Sequence, residues 1–309
     1  MSVEIPEVRV GEAIRCEGLS LFPLYYERSM LFQDMPDYVL SHEAMAAGTC
    51  VVREVSEQGS VCDLLVENDG DLPVLFLEGA ELRGAKQNRA INTTVIVAAK
   101  CRTRIPVYCV ERGRWSQTCG QFHVGSHCPP SMRRLFKEGW VPGRRKLGGS
   151  QSAVWAEVRR KHGSLNVFSA TEDMAEALER RRELVEQMED RFRCPANADG
   201  IALAIGDGLV CIDILDKPST LEKVWDRLRQ GFLLDMLEVR RIGQEASRAE
   251  VADVLRRMRR LPWQLVEPIG MGQQYRARGD GILAAALCLD MPIHLSASVA
   301  RVRPDETIG

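Results

Sequence analysis

Between two apolar runs, Pro73–Leu77 and Ile91–Ala99, the chain carries a dense polar segment: Glu78-Gly-Ala-Glu81-Leu-Arg83-Gly84-Ala-Lys86-Gln87-Asn88-Arg89-Ala-Ile-Asn92. Apolar runs of this length bounded by turn residues predict buried strands. The polar segment must therefore leave or cross the sheet edge close to the core, which limits the folds open to the chain. Gly79 and Gly84 permit positive φ and a close approach by backbone or ligand. Arg83 and Arg89 present forked donors suited to carboxylate or phosphate oxygens. Gln87, Asn88 and Asn92 offer donors and acceptors of the kind a sugar or base edge needs, and Glu78 and Glu81 are candidates to orient the arginines or to act as general acid and base. The competing reading is a long connection whose amides cap its own turns and whose charges pair in solvent.

The surrounding pattern predicts an α+β fold. Thr49–Val55, Ser60–Glu67 and Ile105–Val110 read as further strands, so residues 1–115 are mainly β. Residues 116–150 lack periodicity and contain Pro129-Pro130, Pro142-Gly143 and Gly148-Gly149, which reads as a long basic loop. Residues 151–260 are mainly helical. Val154, Trp155 and Val158 share one face, Ser169-x-x-Glu172 and Ser219-x-x-Glu222 look like capping boxes, and Val251, Val254, Leu255 and Met258 form a later stripe. Ile201–Leu215 reads as a hairpin. Residues 261–309 return to strands, with Gly279-Asp280-Gly281 as a hairpin turn. The expected architecture is a single α+β domain over 1–309 whose C-terminal strands share a sheet system with the N-terminal ones.

With a net charge of −2, a nucleic-acid or membrane role is not written into the overall balance. No run is long and apolar enough to span a bilayer. Ten cysteines without a CxxC pair suit a reducing cytoplasm. Cys119, His123, His127 and Cys128 have zinc-ligand chemistry, but the glycines and prolines among them break any helical alignment and the spacing fits no common finger, so no metal site is expected. Arg112, Arg114, Arg133, Arg134, Lys137, Arg144, Arg145 and Lys146, interleaved with Trp115, Phe122 and Trp140, would suit single-stranded nucleic acid; a solvated loop is the plainer reading. His294 lies in a strand, where a satisfied core histidine is the default. Phosphate-loop, GxSxG and HExxH signatures are absent. Cofactor and oligomeric state are left undetermined.

The run from Glu78 to Arg89, then Asn92-x-Thr94, Ile105-Pro-Val107, Cys109-Val-Glu111-x-Gly-Arg-Trp115, Gln151 with Val154-Trp155, Tyr275-Arg276 and His294-Leu295, resembles the first of the ADP-ribosylglycohydrolase- and rhodanese-phosphatase-associated protein domains. That resemblance implies a prokaryotic accessory protein near NAD or ADP-ribose metabolism. It tips the polar segment towards a pocket for a phosphate-bearing, nucleotide-like ligand: Arg83 and Arg89 on phosphates, Gln87, Asn88 and Asn92 on sugar or base, Trp115 as a stacking wall, and Glu78 and Glu81 as the candidate catalytic pair. The alternative is a nucleic-acid or protein-partner module without catalysis.

Overall fold

The computed structural model describes residues 3–27, 37–116, 120–140, 150–206, 208–239 and 245–300. In chain order the elements are β1 (Val8–Val10), β2 (Ile14–Cys16), β3 (Leu19–Tyr26), β4 (Val39–Leu40), α1 (Ser41–Ala46), β5 (Cys50–Glu54), β6 (Asp63–Asn68), β7 (Val74–Phe76), β8 (Ala80–Gly84), β9 (Arg89–Ile91), β10 (Val95–Val97), β11 (Cys101–Cys109) and β12 (Phe122–His127). There follow α2 (Pro130–Glu138), α3 (Gln151–Ser164), α4 (Met174–Arg180), α5 (Arg182–Glu189), β13 (Gly200–Ile205), β14 (Gly208–Leu215), α6 (Pro218–Met236), α7 (Arg248–Arg260), β15 (Gln264–Leu265), β16 (Gln273–Gly279), β17 (Ile282–Cys288) and β18 (Pro292–Val299). The fold is α+β, with a helical segment between N- and C-terminal strands.

One antiparallel sheet joins both ends of the chain in the order β1-β3-β13-β14-β18-β17-β16-β15, with β2 also on β3. Its central strands are buried on both faces, which is why Ile201–Leu215 and Ile282–Cys288 read as continuous apolar runs rather than alternating ones. One face packs against Val251, Val254, Leu255 and Met258 of α7. Ser247 caps that helix, accepting the Glu250 amide while Glu250 accepts the Ser247 amide. The other face packs against Leu221, Val224, Trp225, Leu228 and Phe232 of α6 and against Leu75, Leu77 and Ile96. Leu75 and Ile96 belong to a small sheet, β10-β7-β4, whose opposite side closes a sandwich with a six-stranded sheet, β12-β8-β9-β11-β6-β5. Helices α2, α3 and α4 fill the corner against β11 and α6.

Several expectations change. Residues 116–150 are not one loop, for β12 and α2 lie inside them; Pro130 occupies the first turn of α2, where its missing N–H costs nothing. The Glu78–Asn92 segment is likewise a β8–β9 hairpin crossing the six-stranded sheet. The helix expected from Ser169-x-x-Glu172 begins later: Asp173 is the N-cap of α4, and Ser169 Oγ accepts the Asp173 amide instead. It also breaks at Arg181, giving α4 and α5. The second proposed box fails because α6 starts at Pro218, leaving Ser219 inside the helix. The turn at Asp280-Gly281 is as expected, with both residues at positive φ in a two-residue hairpin loop. Asp207, in the Gly206–Gly208 turn, lies outside the described residues.

Candidate functional site

Alternation along β8 and the bends at its ends send the polar residues of the segment to three separate places.

Glu78 goes inward. It stands at the end of β7, before Gly79, whose φ of +91° favours glycine and whose missing Cβ leaves room for His127; a Cβ would lie 2.7 Å from His127 Cε1. Glu78 is 1% exposed and meets Lys137 Nζ, with Arg133 Nε at 3.4 Å, Arg276 Nη1 at 3.8 Å and Ser296 Oγ donating at 3.2 Å. Arg133 and Lys137 reach it together because they are four residues apart on α2. Arg133 also grips Asp213 of β14 with both terminal nitrogens. His294 Nε2 lies 3.1 Å from Asp213 Oδ1, and its Nδ1 lies 2.7 Å from Thr94 Oγ1, which accepts the Glu78 amide at 3.0 Å. Burial opposes the charge on Glu78, but Lys137, Arg133 and Arg276 outweigh it and hold the carboxyl below its ordinary range. Asp213 is lowered as well: burial opposes, and Arg133 prevails. Thr94, His294 and Asp213 are linked like a catalytic triad, yet each is at most 5% exposed; His294 and Asp213 sit on neighbouring strands of the large sheet, and the Thr94 link ties that sheet to the start of β10 in the small one. The cluster is a strut.

Arg89, Gln87 and Asn88 go to the far end of the six-stranded sheet. Arg89 is fully buried, donating to Gln87 Oε1 at 2.9 Å and to the Ser60 carbonyl at 3.3 Å. Asn88 donates to Asp173 Oδ2 at 3.0 Å, accepts the Gly84 amide, and gives its own amide to Glu111, which Arg114 holds from the other side. Gln151 brackets the backbone of Cys109, donating to its carbonyl and accepting its amide, both at 2.8 Å. Burial, with Glu81 and Glu111 behind it, pushes Asp173 up to about 7. Trp115 is 46% exposed, with Lys86 and Arg89 over its ring at 5.5 and 5.6 Å. Asn92 sits at the end of β9, its amide on the Pro106 carbonyl.

Glu81 and Arg83 form the third place. Arg83 Nε donates to Glu81 Oε2 at 2.7 Å, Nη1 donates to Glu179 of α4 at 2.7 Å, and Ser126 Oγ donates to Glu81 Oε2 at 2.9 Å. Gly125 lies beneath the pair, where a Cβ would fall 2.6 Å from Arg83 Nε and 2.7 Å from Glu81 Oε2. The register of β12 on β8 shifts between Val124 and His127, a bulge that takes Ser126 out of the regular ladder. This corner opens on a cavity of about 400 Å3 between β12 and the α4–α5 pair. Its walls include Arg83, His123, Ser126, Glu179, Arg182 and Gln230. The volume falls in the range of small-molecule sites. Arg182 is exposed and makes no ion pair among the described residues.

Of the expected site residues, only Arg83 lines this cavity, with the buried Glu81 behind it as its partner; Glu78, Gln87, Asn88, Arg89, Asn92 and Trp115 are absent from its lining. Sequence reasoning passed over Ser126, Arg182 and Gln230. Gly125-Ser126 was visible as an interruption, but nothing local disclosed that it lies across from Glu81.

The basic stretch also changes meaning. Arg133 and Lys137 are spent on buried carboxylates, Arg114 pairs with Glu111, and Arg134 with Glu138. Arg144, Arg145, Lys146 and Cys119 lie outside the described residues. Among those described, no group of three His, Cys, Asp or Glu side chains is placed to hold a metal, and no helix is long and apolar enough to cross a membrane.

Sheets sharing strands from both chain ends, a buried ionic strut and a polar cavity at a β-bulge together define an α+β protein with one candidate small-molecule site. Residues 7–298 match the model of the ARG and Rhodanese-Phosphatase-superfamily-associated Protein domain, and the chain belongs to that family. No curated protein and no solved structure matches it. The family's name ties its members to other enzymes, without naming a ligand.

Proposed function

We propose that the protein binds a phosphate-bearing, nucleotide-like small molecule, of the ADP-ribose or NAD class, in the cavity beside Arg83, as an accessory protein of a prokaryotic cytoplasm. The observation that carries this reading is the Arg83–Glu81 pair: an arginine oriented by a buried carboxylate, a fifth of its side chain still exposed, on the wall of a cavity of about 400 Å3. Such a guanidinium keeps N–H groups for an incoming oxyanion, and orientation lowers the entropy lost on binding. Arg182 supplies a second cation across the cavity, and Gln230 an amide that can read a polar edge. The family's association with ADP-ribose-related and phosphatase-type enzymes supports this ligand class.

Glu78 and Arg89 take structural roles in this account, and the single domain over 1–309 is held together by the Glu78 strut. Glu81 remains the carboxylate placed to orient the ligand or to exchange a proton with it. The test is mass spectrometry of small molecules that co-purify with the protein. A nucleotide or ADP-ribose derivative retained by the wild type and lost from Arg83→Ala is the expected result; retention by Arg83→Ala would remove the cavity from consideration.

A further inference from the structure

Arg276 of β16 is 1% exposed, yet its guanidinium donates to no described residue; its ion pair is the 3.8 Å approach of Nη1 to Glu78 Oε2, too long for a hydrogen bond. A guanidinium does not escape that cost by losing its proton, and bare charged donors are the costliest kind to bury. Other donors nearby are bare as well: Arg133 Nε, and the imidazole of His127, whose ring lies against Gly79 and Arg133. Burial and then Arg133 push that ring down to about 3, so it is neutral. The bare acceptors are Glu78 Oε2 and Gln274 Oε1. Charge is unbalanced in the same direction. Arg133, Lys137 and Arg276 bring three positive charges against two negative from Glu78 and Asp213, with the histidines uncharged, and each of these residues is at most 3% exposed. Burial is the largest influence on Lys137 and Arg276 and lowers both; their shared Glu78 is the largest opposing one. A surplus charge in such an interior calls for deprotonation or for a counter-ion.

The strand register shows where a counter-ion fits. Asp213, Ser296, Ala285 and Arg276 stand in one row across β14, β18, β17 and β16. Arg133 covers the Asp213 end and also donates to Ser296 Oγ. Ala285, between Ser296 and Arg276, puts up only a methyl group and keeps 8% of its surface uncovered, against 1% for each neighbour. We propose that a small monovalent anion of chloride's size sits over Ala285, accepts hydrogen bonds from Arg276 and completes the charge balance of the strut. A water brings as many donors as acceptors to a place where bare donors are in excess; a halide only accepts, and it carries the missing charge. A phosphate ester or an organic acid is too large for surroundings this enclosed. The site is independent of the Arg83 cavity, and it couples the stability of the fold to the anion by mass action.

The experiment purifies and crystallises the full chain in sodium bromide and locates bromide by its anomalous scattering. Alongside it, the melting temperature is followed as chloride replaces gluconate at constant ionic strength. The expected result is a bromide within hydrogen-bond distance of the Arg276 guanidinium, and a melting temperature that climbs with chloride and then levels off. Arg276→Met removes both the donors and the surplus charge, so it should fold, lose the bromide and lose the chloride response. Ala285→Val, which fills the floor and leaves every charge in place, should lose both as well. No bromide at Arg276 in the wild type would overturn the proposal and assign the missing neutrality to a deprotonated Lys137. A bromide or a chloride response that persists unchanged in Arg276→Met is an adventitious ion only, and overturns it too. Should neither variant fold, the wild-type crystal decides alone.

Discussion

Arg83 Nε donates to Glu81 Oε2 at 2.7 Å, while Arg89, six positions later on the neighbouring strand, has its guanidinium sealed beneath Trp115 at 0% exposure. Two arginines from one short motif thus divide between a solvent-facing cavity and the protein interior. The division follows from the β8–β9 hairpin, which sends its ends to different sides of the sheet.

Substitution should separate the two roles. Arg83→Ala is expected to lower ligand affinity at least ten-fold and to cost less stability than Arg89→Ala, because Glu179 and Ser126 are partly solvated and Ser126 Oγ still donates to the Glu81 carboxylate left behind. Arg89→Ala, which strands Gln87 and leaves a buried void, should cost about 3 kcal/mol of stability. Denaturant unfolding of both variants, paired with calorimetry, checks the contrast.

The Glu78 strut predicts resistance to mild acid. Glu78 and Asp213 both have folded-state pKa values below their unfolded ones, so their contribution is complete above the ordinary carboxylate range and is lost as pH falls through the depressed folded values. Wild-type stability attributable to the strut should hold to about pH 4 and decline below it. Arg133→Met, which leaves Asp213 and Glu78 buried and under-compensated, should destabilise by about 3–5 kcal/mol at pH 7. Its loss relative to wild type should shrink in acid as the carboxyls protonate. Melting curves over a pH series decide it.

Asp173 behaves oppositely. Its folded pKa is raised to about 7, so the stability it contributes is complete below the unfolded value and is lost as pH rises through 7. Asp173→Asn keeps an N-cap for α4 and removes the cost of ionising beside Glu81 and Glu111. The variant should be no more stable than wild type at pH 4 and more stable by about 1–3 kcal/mol at pH 8. A gain that is the same at both pH values would contradict this.

Gly125→Ala tests the floor of the cavity. A methyl group there collides with the Arg83–Glu81 pair, so the strand must shift or the pair must part. Ligand affinity should fall as far as in Arg83→Ala, and a crystal structure of the variant should show Arg83 turned away from Glu81.

Much of the fold was legible in the chain. Apolar runs such as Ile201–Leu215 and Pro73–Leu77, and the stripes on α6 and α7, depend on local periodicity that survives folding. The elements inside 116–150 were not, because β12 is short and bulged and α2 hides its charged residues in an interior that supplies their counter-ions from Asp213 and Glu78. A helix bearing Arg133, Arg134 and Lys137 looks solvated until its partners, distant in sequence, are known. For the site, Glu81 and Arg83 could be named from residue chemistry, but chemistry alone could not separate them from Glu78 and Arg89; that distinction lies in which face each residue takes after Gly79 and Gly84 turn the backbone. Ser126 and Arg182 carry no local signature.

The central claim is that the cavity beside Arg83, and not the buried arginine, is where the protein meets its ligand. Titration of wild type, Arg83→Ala and Arg89→Ala with ADP-ribose measures this directly. The account predicts saturable binding by wild type, loss of ten-fold or more in Arg83→Ala, and near-wild-type affinity in whatever fraction of Arg89→Ala remains folded. Undiminished binding by Arg83→Ala, or loss confined to folded Arg89→Ala, would contradict it.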